Sequence, residues 1–225
     1  MILAALFILI MIIVVAEIGK DGLWHSLLTF FNVLFAGTLT MNFFEPLALR
    51  LDLMMPSFSY FADFLAFWGL FIGFSLFMRI FTQTLSKVRV RFLRPVDLVG
   101  GLFFGLWTGW IMVSLVATSL HLAPLAVNSF GGNFQASPES RMFWFAPDRN
   151  WLSLMQKTSQ GSFARSVDPE KPEQHVFDPK GTFILTYGAR RGTLETLPAL
   201  RVQRTWGSGK IQELTLTNSQ QLDSP

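Results

Sequence analysis

The stretch Pro95-Val-Asp97-Leu-Val-Gly100-Gly101-Leu-Phe-Phe-Gly105-Leu-Trp-Thr-Gly109-Trp110 decides the fold. Asp97 is the last charged residue before 25 uncharged ones ending at Leu122. At about 1.5 Å rise per residue, a helix of that length exceeds the hydrocarbon core of a bilayer, about 30 Å thick. Gly101, Gly105 and Gly109 recur every fourth residue, so they share one helix face and allow a neighbouring backbone to come close. Asp97 stands at the start of this helix, where a carboxylate is favoured by the macrodipole.

Three more apolar stretches precede this one. Residues 60–81 form a third span with Gly69 and Gly73 again four apart, expected to pack a neighbour. Asp63 and Arg79 sit near its opposite ends, each expected to reach its own interface. Residues 23–44 form a second span whose His25, Ser26, Thr29, Asn32, Thr38 and Asn42 suit a helix with polar groups facing protein. Glu45-Pro46 should end it, because proline cannot donate to the helix ladder. Residues 1–18 form the first span, which lacks a cationic flank and a small-x-small cleavage site and so reads as a retained anchor. The short turn Gly19-Lys20-Asp21-Gly22 predicts that spans one and two form an antiparallel hairpin. The expected fold is all-α and membrane-embedded: a four-transmembrane-helix bundle over residues 1–122, its fourth span covering 97–122, then a small, partly disordered polar tail over 123–225.

Charge follows the same division. Only thirteen residues up to Leu122 are Asp, Glu, Lys or Arg, whereas the rest of the chain carries twenty. A net charge of +3 is too small to argue for nucleic acid. The absence of cysteine excludes disulfides, thiolate metal sites and a cysteine nucleophile. Lys87, Arg89, Arg91 and Arg94 crowd the connection between the third and fourth spans, with no acidic residue until Asp97. The positive-inside rule assigns that connection to the cytoplasm, and the amino terminus and polar tail to the other side.

In the tail, residues 123–140 read as a linker. Pro147-Asp148 opens a helix over 147–160, with Gly161 just beyond its end. Trp151, Leu152 and Met155 share one face and Leu154 lies off it. Beside the aromatic run Met142-Phe143-Trp144-Phe145, this helix fits either a membrane-interface position or a small packed tail domain. Residues 166–181 read as extended linker, and residues 182–187 and 210–217 as short strands.

Neither half assembles recognisable catalytic chemistry. His25, His121 and His175 read as sharing no helix face with a His or carboxylate at ligand spacing, so no zinc site is expected. No Gly-x-Ser-x-Gly elbow and no phosphate-binding Gly-x-x-x-x-Gly-Lys loop occurs. No catalytic, cofactor or metal residue is expected, and the chain reads as a non-enzyme.

Gly19 and Gly22 in the first turn, with Asp97, Gly100, Gly101, Gly105 and Gly109 in the fourth span, give an order of features that resembles the colicin V production protein (CvpA) family. Family members often carry arginines in the first turn, where this chain has only Lys20. The resemblance covers residues 1–122 and implies a bacterial inner-membrane protein linked to production or export of a peptide toxin, with wider links to envelope maintenance. The family's membrane domain also occurs fused to an extracytoplasmic serine protease, for which this tail is too short. The reading is a non-enzymatic scaffold or accessory; a small oligomeric channel or transporter subunit is the alternative. Expected partners are the lipid bilayer and either a second copy or other membrane proteins, with no nucleic acid and no cofactor.

Overall fold

The computed structural model describes residues 2–55, 59–86, 90, 92–125, 129–132, 145–161 and 176–196. Six α-helices organise them: α1 (Ile2–Gly19), α2 (Gly22–Met54), α3 (Ser59–Leu85), α4 (Arg94–Leu122), α5 (Pro147–Ser159) and α6 (Phe183–Thr196), with a 3-10 turn at Ser129–Gly132. Four of them, α1 to α4, are long and apolar enough to cross a membrane. Six helices and no strand occur among the described residues.

The long helices stand in the spatial order α1, α4, α2, α3. Helix α4 packs along both α1 and α2, and α3 packs on the far side of α2. Helices α1 and α2 touch little, because α4 lies between them. The short turn therefore does not make the side-by-side hairpin that its length predicts. What separates the two helices is the small-residue face of α4, which admits α1 at backbone distance.

Proline does not end α2 at residue 46. The helix continues to Met54, with Pro46 inside it. A proline removes one ladder bond, and packing on both sides of it holds the helix. Phe44 is fully buried against the rings of Phe67 and Phe183, and Ala48 is buried one turn later. Among the described residues Gly69 and Gly73 pack no neighbour, since a Cβ at either would meet nothing within 4 Å. Spacing places them on one face, and that face of α3 looks away from the other described elements.

Residues 182–187 are helical rather than extended. Asp178 caps the start of α6, its carboxylate accepting from the Thr182 N–H at 2.7 Å and the Phe183 N–H at 2.9 Å. From there Phe183, Tyr187 and Arg191 recur every fourth residue, and the aromatic pair meets at 4.6 Å between ring centroids. Residues 210–217, expected as a second strand, lie outside the described residues.

The larger of two apolar clusters among the described residues runs through both halves of the sequence. Phe44 and Ala36 of α2, Phe67 of α3 and Leu115 of α4 share it with Trp151, Leu152 and Met155 of α5 and with Phe177 and Phe183. The α5 helix thus has the expected apolar face, with Leu154 exposed. That face is turned to the membrane helices, not to lipid and not into a separate tail domain. A bare spot on α2 admits it: a Cβ on Gly37 would stand 2.9 Å from the Trp151 ring.

Burial along α4 changes abruptly as a result. Val96, Leu98, Val99, Leu102, Phe103, Leu106 and Trp107 are exposed, whereas every residue from Thr108 to Ala123 is buried or half-buried.

Candidate functional site

Two nodes of contacts lie at the ends of α4, one built on Asp97 and glycines and one on buried ion pairs. At the Asp97 end, the first N–H groups of α2 need acceptors. Asp21, just before the helix, makes no side-chain cap. Asp97 does it from another helix, its Oδ1 accepting from the Leu23 N–H at 2.8 Å. Asp97 lies in the first turn of α4, as its position predicts, but its carboxylate serves the start of α2. Gly22 has φ +83°, a left-handed conformation, and a Cβ there would lie 2.6 Å from Asp97 Oδ2. Both the backbone angle and the space require glycine.

The glycine ladder continues from this point. A Cβ on Gly101 would stand 2.7 Å from the Gly19 carbonyl oxygen; one on Gly105 would stand 3.4 Å from the Gly19 nitrogen. One on Gly109 would meet Met11 Sδ at 2.6 Å and the Met11 carbonyl at 3.5 Å. The Leu23 side chain occupies the space beside Gly100. Met11 and Gly19 of α1 are two helical repeats apart, so α1 lies along the glycine face with backbone against backbone. Ser26 Oγ ties the turn by donating to the Ile18 carbonyl at 2.8 Å. Helix α3 joins the same end through Trp24 Nε1 donating to Ser86 Oγ at 3.1 Å and Asn32 Nδ2 to Thr82 Oγ1 at 3.0 Å. Lys20 lies in the turn itself, and its hydrogen bond to Glu17 holds the ammonium above its ordinary range. Arg94 opens α4 exposed, while Lys87, Arg89 and Arg91 lie outside the described residues.

At the other end of α4, His121 Nε2 lies 3.0 Å from Asp148 Oδ2 of α5, with both side chains almost wholly buried. Arg191 of α6 is buried within electrostatic reach of His121. Asp63 of α3 is buried too and pairs with Arg190 of α6. Asp63 therefore does not extend to the membrane interface as its place near the helix end predicts. A cation from the tail meets it inside the protein, which is the usual condition for a carboxylate at that depth. Arg79, by contrast, is exposed. The hydroxyls of Thr108, Ser114, Thr118 and Ser119 donate to carbonyls three or four residues back on α4 itself.

Sequence reasoning missed this second node. His121 and Asp148 are 27 residues apart, and Asp63 and Arg190 lie on helices from opposite halves. The one available signal is that ionisable residues inside or beside apolar spans need partners. Among the described residues no three His, Cys, Asp or Glu side chains converge as a metal site would require. An apolar groove of about 460 Å³ runs between α1 and α4, lined by Phe7, Met11, Trp107 and Trp110 and bordered by Phe145.

The model of the family described as colicin V production protein matches residues 3–143. The match includes every residue of the glycine–aspartate node and extends past Leu122, where the resemblance in sequence ended. Comparison with curated proteins and with solved structures finds no match.

Proposed function

The chain belongs to the colicin V production protein family, and from that premise we propose that it is a non-enzymatic scaffold or accessory of the bacterial inner membrane. Its process is the production or export of a colicin V-type toxin, or maintenance of the envelope. Four membrane-length helices and the family match make it a multi-pass membrane protein. The observation that carries the scaffold reading is how the polar groups of the membrane helices are used. Asp97 caps a helix, Asn32 joins two helices, and the buried hydroxyls of α4 bond within their own helix. A histidine–carboxylate pair supplies two of the three members of a nucleophilic triad, and the serines nearest to His121 along α4 are turned to main-chain carbonyls. These groups join helices or bond within their own helix instead of converging on a substrate.

The cation excess between α3 and α4 supports a cytoplasmic position for that connection, with the amino terminus and α5–α6 on the other side. Reporter fusions at Val90 and Ser162 test this by giving opposite readouts. The role is tested in a toxin-producing strain lacking the chain. Release of toxin should fall and should return with the parent sequence, and vesicles holding the purified protein should stay impermeable to ions. Ion flux through those vesicles would instead favour a small oligomeric channel or transporter subunit.

A further inference from the structure

None of the side chains lining the groove of about 460 Å³ between α1 and α4 carries a charge, hydroxyl or amide. Phe7 and Val113 are buried at its floor, and Ile12, Leu106 and Trp107 are exposed at its rim. Trp110 meets Phe145 edge-on, with ring centroids 5.7 Å apart. The walls cannot close on one another, because the contacts of Gly105 and Gly109 with α1 fix the two helices at backbone distance. A slot left unfilled forfeits dispersion contacts along its lining.

Depth identifies what fills it. Asp97 is the last charge before the uncharged run of α4, which puts it at one boundary of the hydrocarbon core. Leu106 stands nine residues further on and Val113 sixteen, about 14 and 24 Å by helix rise. The core is about 30 Å thick, so its midplane lies about 15 Å from that boundary. The groove thus begins near the midplane and runs through the leaflet on the side away from Asp97. Exposed apolar side chains flank it on both helices, Ile13 on α1 and Leu102 on α4, so it is continuous with the surface that faces the bilayer. An extended peptide would bring N–H and C=O groups that nothing in the groove satisfies. A helix of a second copy would need a face running the depth of both leaflets, and the groove occupies one.

We infer that the groove holds one acyl chain of a phospholipid from the leaflet away from Asp97, as a resident lipid and not as exchanging solvent. The inference rests on the membrane-spanning reading but not on orientation or on a role in toxin production, so failure of either leaves it standing.

The test reconstitutes the full-length protein with phosphatidylcholine carrying a photoactivatable diazirine in its acyl chain and maps the adducts after illumination. Adducts should be several-fold denser on residues 7–12 and 106–110 than on the exposed side chains of α3. Native mass spectrometry of the detergent-purified parent should show a single phosphatidylcholine retained per chain. Leu106→Trp and Ile12→Trp, which fill the groove from its rim, should lower that retention several-fold. Leu76→Trp and Ile80→Trp on the exposed face of α3 should leave it unchanged. Adducts spread evenly over the apolar surface of α1–α4 overturn the inference without recourse to any variant. So does a parent that retains no lipid, or one that pairs with a second copy through the groove.

Discussion

At its Asp97 end α4 meets its neighbours through bare backbone and one carboxylate, whereas at its His121 end it is enclosed by large side chains and buried charge. Gly101 and Gly105 of the first region lie against the main chain of Gly19. The second region has Trp151, Leu152 and Met155 from α5 and Phe183 from α6 packed with Leu115, and the His121–Asp148 pair. Backbone contact tolerates no added atom, so it writes itself into sequence as glycine at fixed spacing. Side-chain contact has many solutions and leaves no such pattern. The first region is therefore the recognisable one, and the second is what turns a row of helices into a protein with a core.

Substitutions at the two ends should differ in kind. The largest effect is expected at the glycine face. Gly101→Leu forces a side chain onto the Gly19 carbonyl and should destabilise by about 3 kcal/mol or more, since backbone on both sides cannot yield. The triple change with Gly105→Leu and Gly109→Leu should abolish accumulation in the membrane. Gly69→Leu and Gly73→Leu are the matched controls, each expected within about 0.5 kcal/mol of the parent by thermal unfolding in detergent. Loss of fold from the control pair would show that a partner outside the described residues occupies the α3 face.

At the opposite end, Trp151→Ala should cost about 3 kcal/mol by opening a cavity over Gly37 and Leu115. Unfolding followed by helix content should register this loss in α1–α4 as well as in α5, because the core is shared. A smaller effect belongs to the buried pair. Asp148→Leu should cost about 2 kcal/mol by leaving His121 without its carboxylate. The double variant with His121→Leu should recover most of that, because two apolar groups satisfy each other where one polar group cannot. Smaller than these, though above the Gly69 and Gly73 controls, is Asp97→Asn, which retains an oxygen for Leu23 but not its charge and should cost about 1 kcal/mol.

The sequence made the four spans and the Asp97–glycine pattern legible because length, apolarity and glycine spacing are local properties. Which neighbour a glycine face meets is not local. The same four-residue spacing puts Gly101 and Gly105 against α1 and leaves Gly69 and Gly73 open. Pro46 reads as a stop, yet the burial of Phe44 and Ala48 around it is a tertiary fact. The run Thr182-Phe-Ile-Leu-Thr-Tyr187 has the β-branched and aromatic residues of a strand. Its helical cues were Asp178 four residues ahead of Thr182 and the four-residue spacing of Phe183, Tyr187 and Arg191. The pairs His121–Asp148 and Asp63–Arg190 join distant segments, and only the packed structure shows that α5 and α6 bring the partners.

Docking of α5 into the membrane helices is the claim on which this comparison stands, and the cysteine-free chain allows a direct measurement. Met155 is buried against the core and Leu154, one residue earlier on the same helix, is exposed. Single variants Met155→Cys and Leu154→Cys in the full-length protein should react very differently with a water-soluble maleimide. The cysteine at 154 should be modified quickly and the one at 155 should stay protected until the protein is unfolded. Equal, rapid modification at both positions would contradict a shared core and return α5 to the membrane surface or to solvent.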